Sequence, residues 1–484
     1  MNYKMIGRFI SLTLAIEAAF MIPALFISLY EGDWTVIRSF LLSIGIIVVI
    51  FAALYLFCRS TQRGFYAREG LVCASLSWIT MSLLGCLPFY LSGQIPSYID
   101  ALFEMVSGFT TTGASILSDV EAMSKSLLYW RSFSHWIGGM GVLVFLLALV
   151  PMVGKNTGFT MHLLRAESPG PNVGKLVPKM KQTALILYCI YILLTVVNII
   201  FLLIGRMPVF DAICTAFGTA GTGGFGIKND SIASYSPYIQ NVCTVFMLLF
   251  GVNFSCYYLL LIKQVKAVLK DEELHVYLGI VFVSIVMLTL NVRGMYDTLG
   301  ETIRHAAFQV ASIVTTTGFA TTDFDLWPAF SKAIILFLMT IGACAGSTGG
   351  GFKCGRALLV FKSLRRNIRK VLNPQKIQVV RNNNAMVSEK VLDTTNAYLA
   401  AYVVITILIF IIVSLDGFSV TTNFSAVLSC FNNIGPGLEV VGPTCNYGDY
   451  SILSKLVLIV DMLAGRLEIF PMLILLSRST WHHR

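Results

Sequence analysis

Ser107–Ser115 reads SGFTTTGAS, Phe217–Gly226 reads FGTAGTGGFG, Ser312–Thr321 reads SIVTTTGFAT and Cys430–Glu439 reads CFNNIGPGLE. These four polar, glycine-bearing stretches interrupt an apolar chain at intervals of roughly a hundred residues, the mark of an internal repeat. Each follows an apolar stretch of about ten to twelve residues, too short to cross a bilayer. Each is flanked by two longer apolar runs. The repeating unit therefore reads as span, half-helix, polar loop, span. Two further apolar spans, about 5–30 and 37–58, and a basic connector Arg59–Arg68 precede the first unit. The chain divides accordingly into a two-helix region, 1–64, and four units, 65–180, 181–272, 273–390 and 391–484. The sum is an all-α membrane protein of ten transmembrane helices.

Composition agrees. Hydrophobic residues make up 56% of 484 and charged ones 12%, against about 25% charged in a soluble domain. Leu41–Cys58, Ile186–Ile204 and Leu399–Leu415 are each long enough to span lipid. The first apolar stretch runs on to Tyr30 without a small-residue cleavage pattern and reads as a retained helix. Eleven cysteines lie mostly in apolar runs, without a CxxC pair or metal-ligand spacing, and behave as small hydrophobes. The net charge of +10 is a matter of sidedness, not of nucleic acid. Lys353–Arg381 holds nine basic residues and no acid, and a second basic group spans Lys155–Lys181. Basic loops stay cytoplasmic. With Lys4, Arg8, Arg478 and Arg484, the same rule puts both termini inside, which agrees with an even number of crossings.

Irregular backbone at membrane depth survives only where protein or a water-filled cavity shelters it. Four such loops can shelter one another around a common axis. Thr-Thr-Thr-Gly offers neutral carbonyl and hydroxyl oxygens, and rings of carbonyls replace the hydration shell of potassium. Aligning the loops on Thr112-Gly113, Thr222-Gly223, Thr317-Gly318 and Ile434-Gly435 predicts one layer of Thr110, Ala220, Thr315 and Asn432. The next layer is Thr111, Gly221, Thr316 and Asn433. Asp100 and Asp211 fall near two half-helix starts, where carboxylates complement the positive end of the helix dipole. The negative ends would face the ion path.

In the third unit, ACAGSTGGG (Ala343–Gly351) sits inside an apolar span. Each glycine costs a helix about 1 kcal/mol relative to alanine, so this run predicts a break beneath the loops. It imitates a phosphate-binding loop but lacks the lysine after Gly351 and a preceding strand. Arg466 lies inside the last span, where arginine costs about 2.5–3.5 kcal/mol to insert. It reads as a cavity-facing partner of the break, or alternatively as a pair with Asp461 or Glu468 or a side chain snorkelling towards the cytoplasmic face. Lys353 reads as part of that gate or as a topology-setting lysine. Glu104, His135 and Asp461 are membrane-region candidates for ion coupling or structural hydrogen bonding. The six histidines are scattered and no catalytic cluster can be assembled, so the chain reads as no enzyme; no helix has the arginine spacing of a voltage sensor.

The four loops, with RAESPGP (Arg165–Pro171), GACAGSTGGGFK (Gly342–Lys353), NNIGPGLE (Asn432–Glu439) and GRLEIF (Gly465–Phe470), resemble the potassium transporters of the TrkH, KtrB and plant HKT superfamily, TrkH above all. The similarity covers essentially the whole chain. It implies uptake of potassium across a bacterial inner membrane through one pore formed by four pseudo-repeats. One filter glycine per repeat (Gly113, Gly223, Gly318 and Gly435) implies potassium selectivity, although Ala220-Gly221 and Asn432-Asn433-Ile434 depart from the threonine pattern. The resemblance also implies a gate loop of Ala345, Gly346, Ser347, Thr348, Gly349, Gly350 and Gly351, with Lys353 and Arg466 beside it. It implies a TrkA-type cytoplasmic nucleotide-binding subunit, a homodimer and a membrane-lipid environment, with potassium as the transported ion and no nucleotide bound by this chain. Channel-like passage is favoured, because the units run in one direction; proton or sodium coupling stays open.

Overall fold

The structure, a computed structural model, describes residues 3–58, 67–141 and 180–481. The connector 59–66, the basic group and RAESPGP motif within 142–179, and residues 482–484 lie outside the described residues. Two long helices, Tyr3–Glu31 and Trp34–Phe57, form an antiparallel hairpin. Asp33 starts the second by accepting from the Thr35 and Val36 amides, as an N-cap should. Leu41, Leu42, Val49, Leu56 and Phe57 point outward, because lipid rather than water is their solvent.

Each of the four units then opens on a long helix: Ala67–Gly85, Met180–Ile204, Glu272–Val292 and Glu389–Val413. A short helix follows in each, Tyr98–Phe109, Val209–Gly221, Leu299–Val314 and Val420–Phe431. Ser97, Thr298 and Ser419 cap three of these. Asp100, Asp211 and Glu301 put carboxylates in the first turns of three, favourable against the helix dipole. The polar loop comes next, and then a second long segment.

That second segment is interrupted in the second, third and fourth units, and in the first its described part ends at Gly141, whereas the sequence predicts a break only in the third. Lys125–Met140 ends at Gly141; Pro237–Phe250 turns by 88° into Phe254–Leu261; Ala329–Ile341 ends at Gly342; and Ile452–Leu467 ends at Glu468, held at φ 68°. Among the described residues, six helices are long and apolar enough to cross a membrane, and the bent pair raises this to seven. The ten spans expected from the apolar runs are therefore not all continuous helices. Glycines at 251 and 342 sit at two of the breaks, and hydropathy averages over such corners. The sequence also gives no hint of the two-residue strand pair Arg381–Asn382 and Ala385–Met386. It follows the basic helix Cys354–Leu372, which the ion pairs Lys362–Glu272 and Arg366–Glu389 tie to the first turns of two long helices.

Candidate functional site

The four short helices are buried, and their C-terminal ends deliver the four polar loops to one place. The loops share a single backbone fold. Thr111, Thr222, Thr316 and Asn433 all take left-handed φ between 51° and 59°. Two residues on, Gly113, Gly224, Gly318 and Gly435 again have positive φ, from 72° to 101°. Between them, the amides of Thr112, Gly223, Thr317 and Ile434 donate to Ser107, Gly218, Ser312 and Ser429 carbonyls at 2.8–2.9 Å.

This common fold corrects the sequence register in the second loop by one residue. Thr222, not Gly221, matches Thr111; Gly223 matches Thr112; and Gly224, not Gly223, matches Gly113. Ala220 falls within the preceding helix. Aligning on Thr-Gly fails there because the second loop has two consecutive glycines. The Gly-Phe doublet shared by Gly224-Phe225 and Gly318-Phe319 is the signal that would have found it.

The loops meet in a closed ring. A Cβ built on Gly113 would collide with the Gly223 carbonyl oxygen, one on Gly224 with that of Thr317, and one on Gly318 with that of Ile434. One on Gly435 would lie 2.8 Å from the Thr112 carbonyl oxygen. Each loop's glycine thus leaves room for its neighbour's carbonyl, in the order one, two, three, four, one. No side chain but hydrogen fits at these positive-φ positions. The fourth loop is also tied to the first, Asn433 Nδ2 donating to Thr112 Oγ1 at 2.9 Å. All three residues of each Thr-Thr-Thr triplet, with Asn432 and Asn433, are fully buried.

Side chains behind the ring hold it. Glu104, on the first short helix, accepts from Ser115 Oγ at 3.0 Å and the Ile116 amide at 2.9 Å. It also pairs with Arg131 at 2.6 Å. Arg131 in turn donates to the Gly226 carbonyl at 2.9 Å and lies over the Phe225 ring, so one buried ion pair spans loops one and two. His135 stacks on Phe225, centroids 4.1 Å apart, directly behind Gly223. Tyr447 donates to the Gly435 carbonyl at 2.8 Å.

On one side of the ring lies the loop between Ile341 and Cys354. The Gly350 amide donates to Thr316 Oγ1 at 2.7 Å, and Thr348 Oγ1 to the Phe250 carbonyl at 3.2 Å. A Cβ on Gly350 would meet the Asn432 carbonyl at 2.6 Å, and one on Gly349 the Thr315 carbonyl at 2.9 Å. Gly346 accepts from the Phe254 amide at 3.0 Å, and Ala345 donates to Glu273 at 2.6 Å. Lys353 is wholly buried and its Nζ reaches the Gly349 carbonyl. Arg466 donates to the carbonyls of Thr348 (2.8 Å), Gly138 (2.5 Å) and Gly139 (2.9 Å). It thereby ties the loop to the end of the first unit's second helix. Glu468 pairs with Arg356, and Asp461 hydrogen-bonds to nothing among the described residues. The structure thus brings Thr348, Lys353 and Arg466 together, and Arg466 does not take Asp461 as its partner.

The family model of the TrkH cation transport proteins matches residues 38–482. The chain belongs to that family. It is 33% identical to the Trk system potassium uptake protein TrkH of Salmonella typhimurium, over 99% of this chain and all of that one. The corresponding figures for TrkH of Halomonas elongata are 34%, 99% and 100%. The crystal structure of the potassium transporter TrkH from Vibrio parahaemolyticus superposes with a TM-score of 0.88 at 30% identity, covering both chains completely. Like its TrkH relatives, the chain is a multi-pass membrane protein, and as a family member it is a transport protein and not an enzyme.

Proposed function

We propose that the chain takes up potassium through the ring of the four loops. The single observation that carries this reading is the closed cycle of glycine-to-carbonyl contacts, one carbonyl from each of Thr112, Gly223, Thr317 and Ile434. Four neutral oxygens at equivalent positions can replace water around a monovalent cation. The four short-helix C-termini add negative potential at the same place. Asn432, Asn433 and Ile434 stand where the first and third loops carry threonine, and Gly221, Thr222 and Gly223 stand there in the second, so the ring is fourfold in its backbone and not in its side chains. The named activity of the TrkH relatives agrees with this substrate.

Ala345–Gly351 acts as the gate, because it packs on Thr315, Thr316 and Asn432 and is pinned by Lys353 and Arg466. The two cations add positive charge beneath the ring and oppose a cation's passage while the loop is in place. The membrane potential contributes about 2.3 kcal/mol per 100 mV on each ion, roughly 50-fold accumulation, without a coupled ion. Ten crossings, counting the interrupted segments, put both termini in the cytoplasm of a cell whose inner membrane holds the protein. Regulation comes from a cytoplasmic TrkA-type subunit, and two copies of the chain assemble with one pore each.

Rescue of a potassium-uptake-deficient bacterium at low external potassium tests the reading. Wild type restores growth, and Gly113→Ser admits sodium in parallel. Failure of the wild type to accumulate potassium, with the protein present in the membrane, overturns it.

A further inference from the structure

Away from the ring, a cavity of about 290 Å³ opens between the helices Cys354–Leu372, Glu389–Val413 and Ile469–Leu476. Arg356, Lys390, Thr394, Thr395, Tyr398 and Glu468 line it. Its size is near the low end of small-ligand pockets, roughly 300–1,000 Å³. Two cations and one carboxylate leave the described lining with excess positive charge. Arg356 is the built part of the site. Its side chain is 7% exposed, its guanidinium lies 4.0 Å over the Tyr398 ring, and it pairs with Glu468. Lys390, in the first turn of its helix, is exposed beside it.

The position of this ion pair matters. Arg356 follows Lys353 by three residues, and Glu468 follows Arg466 by two. Lys353 holds the Gly349 carbonyl and Arg466 the Thr348 carbonyl. The Arg356–Glu468 pair therefore ties together the two chain segments that pin the gate loop. An anion entering the cavity meets a guanidinium whose planar donors suit phosphate oxygens better than they suit one carboxylate.

We propose that this cavity binds a phosphate group, from an anionic lipid headgroup or from free phosphate, between Lys390 and Arg356. Occupancy draws Arg356 from Glu468 and loosens the hold on the loop, a step that rests on reading Ala345–Gly351 as the gate. The depth suits a headgroup: Lys390 begins an apolar 25-residue helix, beside the basic helix Cys354–Leu372. Basic side chains at such a level attract anionic lipid.

The full-length protein serves for the test, with Lys390→Gln compared with wild type and Lys376→Gln, a change at another exposed lysine, as control. Retained phosphatidylglycerol is counted by native mass spectrometry, and inorganic phosphate binding is measured by equilibrium dialysis. Potassium flux is followed in phosphatidylcholine vesicles with phosphatidylglycerol or inorganic phosphate added. Lys390→Gln weakens binding of the true source by about fivefold and removes its stimulation of flux, while Lys376→Gln changes neither. Loss confined to phosphatidylglycerol identifies the lipid as source, and loss confined to inorganic phosphate identifies the soluble ion. Equal binding of both probes by wild type and Lys390→Gln overturns the site. Weakened binding with unaltered flux overturns its link to the loop. Failure of the gate reading is seen separately, as unaltered flux in Arg466→Ala.

Discussion

Replacing Arg466 by alanine removes at least three hydrogen bonds from a charged donor; of these three, the bond to Thr348 crosses to the loop Ala345–Gly351. The Gly138 and Gly139 carbonyls belong to a helix packed against the ring, so those bonds persist when the loop moves. The Thr348 bond breaks. A hydrogen bond from a charged group contributes about 1.5–3 kcal/mol, so losing it shifts the closed-to-open ratio roughly ten- to a hundredfold. Observed flux rises by less if the resting open fraction is already appreciable, since that fraction cannot pass one. Removing the positive charge acts in the same direction. Arg466→Lys keeps the charge but loses the fork that reaches Thr348 and Gly138 together, and gives an intermediate gain. The assay is potassium flux in proteoliposomes, with monodispersity confirming folded protein. Flux in Arg466→Ala that stays level or falls, with sodium still rejected, refutes the assignment of the loop and its arginine.

Further outcomes follow from the ring and its supports. Gly224→Ala abolishes potassium selectivity and is not rescued by a second change, because its Cβ meets the Thr317 backbone. Gly223→Ala meets the His135 side chain first, so His135→Ala restores uptake in part; identical behaviour of the two glycines in growth assays would contradict the corrected register. Glu104→Gln leaves Arg131 buried without its counter-charge. It should cost about 3–5 kcal/mol of stability, read as a lower melting temperature in detergent together with sodium leakage through the first two loops. Glu17 is fully buried with neither carboxyl oxygen hydrogen-bonded among the described residues, so Glu17→Met raises the melting temperature, worth about 1–3 kcal/mol, at unchanged uptake. A lower melting temperature would mean that the carboxyl has a structural role.

The legible features were those that act over short stretches of chain. Four helix-loop units could be counted because a ten-residue apolar run followed by a polar, glycine-bearing loop is too short for a full span. The interruption at Ala343–Gly351 could be read because consecutive glycines destabilise a helix wherever they stand. The corner at Gly251 escaped notice, since a single glycine in an apolar run is tolerated and its neighbours hide it; the helix end at Gly141 was missed although Gly138 and Gly139 precede it. Glu104 and Arg131 lie 27 positions apart, and nothing in their surroundings announces that they pair. The second loop's register was misread by one residue because two adjacent glycines offer the same composition in either frame, and only φ separates them.

Amino-acid order by itself determined that the chain lives in lipid, that it repeats four times, and that each repeat presents neutral oxygens where a span should be. These follow from hydropathy, helix propensity and backbone freedom, which are properties of neighbouring residues. Tertiary structure decided which glycine of each repeat faces which carbonyl, and that Arg466 serves the Thr348 and Gly138 carbonyls rather than Asp461. Those choices depend on backbones from distant segments approaching within hydrogen-bonding distance, and such distances are set by packing among all four units together.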